Sequence, residues 1–177
     1  MTTKKKLDTA NMAKWIGELR AGEEILLSGY VYTARDAAHK RILRALDSAE
    51  PLPFELRGAA IYYAGPTPAK GGLAVGSAGP TTSSRMDPYM PRFTAEGLLL
   101  TIGKGDRDDA VYDAITKHGA AYLCAIGGAG ALCASHIESV EVIAYPELGC
   151  ESVKRFLFKD MPLFVGIDSR GGSIFRK

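Results

Sequence analysis

The chain has 177 residues, 46% of them hydrophobic and 24% charged, and its formal net charge is +2. This length and composition are typical of one globular domain, and the near balance of 22 basic and 20 acidic residues excludes a strongly basic nucleic-acid-binding protein. The lysines Lys4–Lys6 are expected to belong to a solvated, flexible tail over residues 1–10.

The first half of the chain alternates between helical and extended patterns. A helix is predicted over residues 11–21, and a strand over "EEILLSGYVYTA" with a bend or bulge at Gly29. A second helix is predicted over "RDAAHKRILRALDSA" and a second strand over "GAAIYYAGP". The loop from Thr67 to Ser84 follows, and loops of this length inside a compact domain are usually functional.

The second half continues the alternation. A helix is predicted over residues 86–97, then a strand at "LLLTIG", and then a helix at "DRDDAVYDAITKHG" with Asp106 as its N-cap. Further strands are predicted at "AAYLCAIG", at "IESVEVIAY", and at a C-terminal pair formed by "PLFVGID" and "SIFRK". The stretch "AAYLCAIGGAGALCA" is too short and too glycine-rich for a membrane span, so a buried strand, a turn and a short helix are predicted there. The fold class is therefore α/β or α+β in a single domain.

The cysteines indicate a reducing compartment. Cys124, Cys133 and Cys150 form no CxxC pair, and the N-terminal stretch is amphipathic rather than a continuous apolar signal. An odd number of cysteines without such a signal predicts a cytoplasmic protein without disulfides. The spacing also matches no compact ferredoxin pattern, so Cys124 and Cys133 are expected to pack in the core.

Two arginines lie where predicted strands give way to turns or helices. Arg35 begins the helix after the first long strand, and Arg85 follows the hydroxyl run Thr81–Ser84. An arginine beside a helix N-terminus adds a bidentate donor to backbone amides that already suit an anion. His39 is on the same helix face as Arg35, but its basic neighbours predict an exposed side chain.

The four hydroxyl residues before Arg85 allow two interpretations. One hydroxyl can cap a helix by accepting a hydrogen bond from a backbone amide, but a cap needs only one. The surplus, with Gly76 and Gly79 permitting close backbone approach, fits an anion-binding nest. On the local pattern alone both interpretations stay open.

Lys104, between two glycines at the end of "LLLTIG", indicates a ligand-facing turn. The chain has no Walker P-loop, no GxGxxG after a strand and no HExxH. A site of arginines, a lysine and hydroxyls matches a small di-anion such as a dicarboxylate.

Five segments in order, "SGYVYTARDAAHKR", "YYAGPTPAKGG", "VGSAGPTTSSRMDPY", "IGKG" and "AYLCAIGGAGAL", resemble the β subunit of the iron–sulfur-dependent hydro-lyases. These enzymes are the class I fumarases and the L-tartrate dehydratases. The resemblance spans roughly residues 23–177 and implies a swivelling β/β/α domain. In single-chain relatives this domain is the C-terminal one, and in two-subunit enzymes it is a separate chain.

The resemblance also implies roles for individual residues. Arg35 and Arg85 are expected to clamp the substrate carboxylates, with Lys104 as a further substrate contact. Thr81 matches the residue that handles the C3 proton, a role that requires a nearby cation to stabilise its alkoxide. The supporting residues expected around them are Gly79, which sets the turn, Thr82, and Asp87, which orders Arg85.

The family's 4Fe–4S cluster is held by cysteines of the α subunit, so this chain is expected to hold no metal, to need that partner for activity, and to assemble as α2β2. The expected reaction is the reversible dehydration of malate to fumarate. Two alternatives stay open, because the same clamps also suit tartrate, and because a dicarboxylate-binding or assembly subunit without catalytic residues would show the same cations. Neither a membrane nor a nucleic acid is expected as a partner.

Overall fold

The computed structural model describes residues 4–126 and 128–176. The strands are β1 (Lys5–Asp8), β2 (Glu24–Thr33), β3 (Ala60–Tyr62), β4 (Leu100–Gly103), β5 (Ala121–Cys124), β6 (Ile137–Ala144) and β7 (Val153–Ile167). The α-helices are α1 (Met12–Trp15), α2 (Asp36–Asp47), α3 (Met90–Ala95), α4 (Asp109–His118) and α5 (Gly130–Ser135). Shorter 3-10 helices cover Thr9–Asn11, Ile16–Glu18, Ser83–Tyr89 and Pro146–Glu151.

All the strands belong to one sheet with the order β1-β2-β3-β4-β5-β7-β6. Strands β1 to β5 run parallel to one another, whereas β7 is antiparallel to β2, β5 and β6. Because β7 pairs with both β2 and β5, the pairings close into a ring through β2, β3, β4, β5 and β7. Helices and strands alternate around this sheet, which confirms the predicted mixed α/β class.

The core lies on both faces of the sheet. One cluster packs α1 against the alternate residues Ile25, Leu27 and Val31 of β2. The other packs helices α2, α3 and α4 against the opposite face, with Ile42 and Phe93 fully buried. The predicted bulge at Gly29 is confirmed, because the β2–β7 register shifts between Leu27 and Gly29.

The N-terminal region is more ordered than the sequence predicts. Residues 1–10 were expected in a flexible tail, but Lys5–Asp8 form a strand paired with β2, and only residues 1–3 of that range lie outside the described part. The Lys5 ammonium donates to the Glu23 carboxylate at 2.8 Å, so the lysine run is compatible with a charged edge strand. The prediction of a tail is therefore wrong for β1.

Two further elements differ from their predicted form. Helix α4 is capped by Asp108, whose side chain accepts from the Val111 amide at 3.0 Å, and not by Asp106. Of the predicted C-terminal pair of strands, "PLFVGID" forms the end of a longer strand, β7, whereas "SIFRK" shows, over its described residues 173–176, only an isolated bridge between Ile167 and Ser173. Among the helices that the structure describes, none has the length and apolar character needed to cross a membrane.

Candidate active site

The predicted site residues lie at the carboxyl ends of parallel strands. Arg35 follows β2, the loop that leads to Thr81 follows β3, and Lys104 follows β4. Strand β3 lies between β2 and β4, so these three strand ends are neighbours at one edge of the sheet. Ligands of α/β proteins, in open sheets and in closed barrels alike, bind at the carboxyl ends of parallel strands, because the loops after the strands converge there.

The hydroxyl segment, residues 79–85, crosses the ends of β3 and β4. The Thr81 amide donates to the Tyr63 carbonyl oxygen at 2.7 Å. Two residues on, the Ser83 amide donates to the Lys104 carbonyl oxygen at 3.0 Å, and the Ser83 Oγ accepts from the Lys104 amide at 3.0 Å. These bonds place Lys104 beside the segment that carries Thr81.

The cap interpretation of the hydroxyl segment does not hold. The 3-10 helix begins at Ser83, and Thr82 at its N-cap position makes no side-chain capping bond. The Thr82 main chain instead forms a parallel bridge with Lys104. The Ser83 Oγ also accepts from the Tyr122 hydroxyl at 2.9 Å, so this hydroxyl fixes the segment to the sheet below it.

Small residues let the hydroxyl segment approach the chain after β5. The Ala78 amide donates to the Gly130 carbonyl oxygen at 3.0 Å. A Cβ placed on Gly79 would lie 3.4 Å from the Gly130 Cα, and a Cβ on Gly130 would collide with the Ser77 Oγ. Gly79 therefore lies against protein backbone, and the close approach expected there is to Gly130.

Arg35 and Arg85 meet at a shared carboxylate. The Arg85 Nε donates to the Asp36 Oδ1 at 2.8 Å, and the Asp36 Oδ2 lies 3.9 Å from the Arg35 Nε. On its other side the Arg35 Nε lies 3.3 Å from the Glu151 Oε1. The Arg35 side chain is 21% exposed and that of Arg85 50% exposed. The structure thus brings together the two predicted clamps, one largely enclosed and one half open to solvent.

Several donors at this edge are uncommitted. Across residues 4–126 and 128–176, no protein hydrogen bond engages the Nη atoms of Arg35 or Arg85, the Nζ of Lys104 or the Thr81 hydroxyl. An arginine grips a carboxylate through parallel N–H bonds, and a lysine acts as a point charge. The edge therefore offers three cations suited to an anionic ligand.

Asp87 does not order Arg85, so that prediction is wrong. The Asp87 Oδ1 accepts from the Arg107 Nε at 2.5 Å, and its Oδ2 accepts from the Asp108 amide at 2.8 Å. The Arg107 side chain is 0% exposed and that of Asp87 4% exposed. Residues two apart in a 3-10 helix point in different directions, so Asp87 faces the interior while Arg85 faces solvent.

Arg107 is buried between aromatic rings under the hydroxyl segment. Its guanidinium carbon is 5.3 Å from the ring centre of Tyr63 and 4.8 Å from that of Tyr122. Burial opposes the charged form, but Tyr63 and the Asp87 carboxylate raise the pKa of Arg107 above its ordinary value. The same Tyr122 donates to Ser83, so this cluster supports the candidate site from below.

His39 is buried, although its basic neighbours predicted an exposed side chain. Its Nδ1 lies 2.9 Å from the Arg35 carbonyl oxygen, and its ring stacks on Phe93 with 5.2 Å between ring centres. Burial lowers the pKa of His39 to about 4. The ring is therefore neutral at pH 7 and supports the backbone of Arg35 by donating from Nδ1.

The cysteines do not fit an iron–sulfur cluster. Over the described part of the chain, no group of three or more His, Cys, Asp or Glu side chains could hold a metal ion. Cys133 is buried, Cys124 is half-buried and Cys150 is exposed. Burial raises the pKa of Cys124 and of Cys133, which disfavours the thiolate that iron requires.

Sequence reasoning missed Glu151 and Arg107. Glu151 lies in "PELGCES", far from the motifs in the chain, and only the fold brings it to Arg35. Arg107 had a usable signal, because it follows the predicted site turn "GKGD" as an arginine among acidic residues. Lys154, whose ammonium holds the turn before β7, gave no signal in the sequence.

Comparison with known proteins agrees with the resemblance in the sequence. The family described as Fumarase C-terminus matches residues 1–177. The chain is 40% identical to fumarate hydratase 2 of Leishmania major over 164 residues, which are 92% of this chain and 29% of that protein. It is 40% identical to the aerobic class I fumarate hydratase of Escherichia coli strain K12 over 153 residues, 85% of this chain and 28% of that enzyme.

A relative of similar length occurs in Methanocaldococcus jannaschii. This protein, provisionally named L(+)-tartrate dehydratase subunit beta, is 36% identical over 170 residues, which are 93% of this chain and 87% of that subunit. The chain thus spans less than a third of the two fumarate hydratases but most of the subunit.

Proposed function

The chain belongs to the Fumarase C-terminus family, and from this premise we propose that it is the carboxylate-binding part of a hydro-lyase. The proposed reaction is the reversible dehydration of a 2-hydroxy dicarboxylate, with malate and fumarate as the leading pair. The observation that carries the proposal is the pair of arginines at one strand edge, joined by Asp36 and with their Nη atoms uncommitted. Two guanidinium groups with free N–H donors suit the two carboxylates of one small dicarboxylic acid.

Each cation has a proposed task in binding. Arg35 and Arg85 each hold one substrate carboxylate, and Lys104 adds a positive charge beside the hydroxyl segment. Fixing both ends of the acid orients the carbon atoms between them, and such orientation lowers the barrier without any chemistry by the clamps themselves.

Thr81 is the proposed proton-handling group. Dehydration removes a proton from C3 and hydroxide from C2 and leaves a carbon–carbon double bond with one water molecule. The Thr81 hydroxyl has no protein partner in the described residues, so it is free to face a substrate. A threonine alkoxide is a strong base that forms only with electrostatic help, and Arg85, four residues along the segment, is the proposed source of that help.

We further propose that a partner α subunit supplies the 4Fe–4S cluster, in an α2β2 assembly. Two observations support a partner. The chain matches most of the length of a protein named as a β subunit, and its own described cysteines do not fit a cluster. The match in length also favours a second candidate substrate, L-tartrate, because that relative is named for tartrate.

The test is anaerobic co-expression with the α chain and assays on malate, fumarate and tartrate. Thr81→Ala should lower kcat by about a hundredfold or more, since positioned acid–base groups contribute on that scale. Thr81→Ser retains the hydroxyl and is the matched control. Activity of Thr81→Ala near wild type would make this chain a binding or assembly subunit. Inactivity of the wild-type complex on all three acids would overturn the hydro-lyase proposal.

A further inference from the structure

Two buried tyrosines approach the hydroxyl segment from opposite faces of the sheet. Tyr62 of β3 packs in the core cluster that contains α1, and Tyr122 of β5 packs in the cluster that contains α2, α3 and α4. Both residues are 0% exposed. Burial raises the pKa of Tyr62 and of Tyr122, so both hydroxyls keep their protons and remain hydrogen-bond donors.

The Tyr62 hydroxyl holds the main chain just before the hydroxyl segment. It donates to the Ala78 carbonyl oxygen, and the Ala78 amide donates to the Gly130 carbonyl oxygen at 3.0 Å. Both polar main-chain groups of Ala78, a residue that is itself buried, are therefore bound. A buried carbonyl that loses its donor costs more than the hydrogen bond contributes, so this contact fixes the start of the segment.

The Tyr122 hydroxyl holds the other end of the segment. It lies 2.9 Å from the Ser83 Oγ and 2.9 Å from the Gly105 carbonyl oxygen, so it bridges the segment and the turn that carries Lys104. The Ser83 Oγ also accepts from the Lys104 amide at 3.0 Å. Gly103 leaves room for the serine hydroxyl, because a Cβ at this position would collide with the Ser83 Oγ.

Thr81 lies between these two contacts. Its amide donates to the Tyr63 carbonyl oxygen at 2.7 Å, but among residues 4–126 and 128–176 no protein hydrogen bond engages its hydroxyl. A threonine side chain turns only about its Cα–Cβ bond, so the position of the hydroxyl follows the main chain. Proton transfer requires that hydroxyl within hydrogen-bond reach of the substrate, and a small shift of the segment is therefore costly.

We propose that Tyr62 and Tyr122 are positioning residues whose hydroxyls fix the two ends of the hydroxyl segment, so that Thr81 faces the substrate. This role depends on the proposed function, because it takes Thr81 as the proton-handling group. Both tyrosines are fully buried, so neither contacts the substrate. Tyr122 has a second task, because the turn that it bridges to the segment carries Lys104.

The principal test measures kcat and KM of phenylalanine variants in the assembled enzyme. Tyr62→Phe and Tyr122→Phe keep the buried ring and remove only the hydroxyl. Each should lower kcat by about tenfold, since a reacting group displaced by a fraction of an ångström loses rate on that scale, and should change KM by about threefold or less. A kcat within about twofold of the wild type in either variant, or a raised KM at unchanged kcat, would overturn the proposal.

Tyr112→Phe is the matched control. The Tyr112 hydroxyl also makes two hydrogen bonds, at 2.7 Å with the Asp106 Oδ1 and at 2.7 Å with the Ser173 Oγ, and neither partner belongs to the hydroxyl segment. This variant should keep the kcat of the wild type. An equal fall of kcat in Tyr112→Phe would show that the loss of any tyrosine hydroxyl slows the enzyme, and the proposal would then fail.

A double variant tests whether Tyr122 acts through Ser83. Ser83→Ala removes the oxygen that the Tyr122 hydroxyl contacts. If the two residues act on Thr81 together, Ser83→Ala combined with Tyr122→Phe should lower kcat by less than the product of the two single losses. A loss equal to that product would contradict the role proposed for Tyr122.

A second measurement does not depend on turnover. In the isotopically labelled full chain without its partner, the Lys104 amide should exchange with water about fivefold faster in Tyr122→Phe, since one neutral hydrogen bond contributes on that scale. The Thr81 amide should do so in Tyr62→Phe, and Tyr112→Phe should match the wild type. Equal exchange in all four chains would overturn the inference. If instead the wild-type complex is inactive but this exchange pattern holds, the hydro-lyase proposal fails while the fixing of the segment by the two tyrosines stands.

Discussion

Two arginine–carboxylate regions lie at the same end of the sheet and differ in their exposure. Arg107 and Asp87 form a buried pair, with side chains 0% and 4% exposed, between two tyrosine rings. Arg85 and Asp36 form a pair at 2.8 Å with side chains 50% and 34% exposed. Both regions pair a guanidinium with a carboxylate, but the two pairs differ in burial and therefore in their role.

The difference teaches what burial does to an ion pair. In the buried pair each charge has lost water and depends on its partner, so the pair fixes the geometry of the chain around it. In the exposed pair solvent screens the attraction, and the arginine keeps donors free for another anion. The buried pair therefore fixes the structure beneath the candidate site, and the exposed pair is open to a ligand.

The first prediction tests this comparison between the two regions with one substitution in each. Arg107→Met leaves Asp87 buried without its cation and should lower the free energy of unfolding by about 3–5 kcal/mol. Arg85→Met leaves Asp36 partly hydrated and should lower it by about 1 kcal/mol or less. Denaturant unfolding of the two variants beside the wild type measures both effects.

A double variant is the control for the buried region. Asp87→Asn in the Arg107→Met background removes the stranded charge and should regain part of the lost stability. If both single variants lost the same amount, the distinction between a structural and a ligand-binding arginine would not hold.

The positions of the clamps could be predicted from the sequence, but their partners could not. Arg35 and Lys104 follow strands with clear apolar patterns, and parallel strands bring their carboxyl ends to one edge. Asp87 was predicted to order Arg85, because the two are close in the chain. Its actual partner, Arg107, is 20 residues away and reaches it only through packing of β4, α4 and the 3-10 helix.

The secondary structure shows the same limit: local patterns were predicted, and features that depend on distant parts of the chain were not. Elements with a strong local period, such as α2 and α4, were predicted closely. Strand β1 was not, because a run of lysines carries no apolar signal and its order comes from pairing with β2. The single long strand β7 was likewise predicted only in part, because its exposed and buried residues are set by three different neighbours.

The second prediction concerns His39, which lies between the two regions. His39 packs against Tyr63, the ring beside Arg107, and donates to the carbonyl of Arg35. Burial lowers the pKa of His39 from 6.5 to about 4, so the unfolded chain takes up a proton in this range while the folded chain does not. Stability from this residue is therefore full above pH 6.5 and falls as the pH drops towards 4.

The size of this effect follows from the linkage. Each unit of pKa difference corresponds to about 1.4 kcal/mol, so the wild type should lose on the order of 3 kcal/mol from this residue between neutral pH and pH 4. His39→Phe fits the aromatic surroundings and removes the titration. After a constant offset is removed, the unfolding free energies of the two proteins should coincide near neutral pH and diverge towards pH 4, where the wild type loses stability relative to His39→Phe. Parallel curves would contradict the prediction.

The smallest predicted effect concerns Arg35, the more enclosed of the two clamp arginines. Gly65 leaves room for Arg35, because a Cβ at this position would lie 3.0 Å from the Arg35 Nη1 and 3.3 Å from its Cδ. Gly65→Ala should push this flexible side chain by a few tenths of an ångström and raise KM about threefold, a change below 1 kcal/mol, with little loss of stability. Gly17→Ala is the matched control, since no atom lies within 4 Å of its added Cβ. A KM that rose equally in both variants would show that the effect does not come from Arg35. An unchanged KM in Gly65→Ala would show that Arg35 can be displaced without loss of substrate binding. Arg35 would then be less fixed in position than its burial predicts, and would differ more strongly from Arg107.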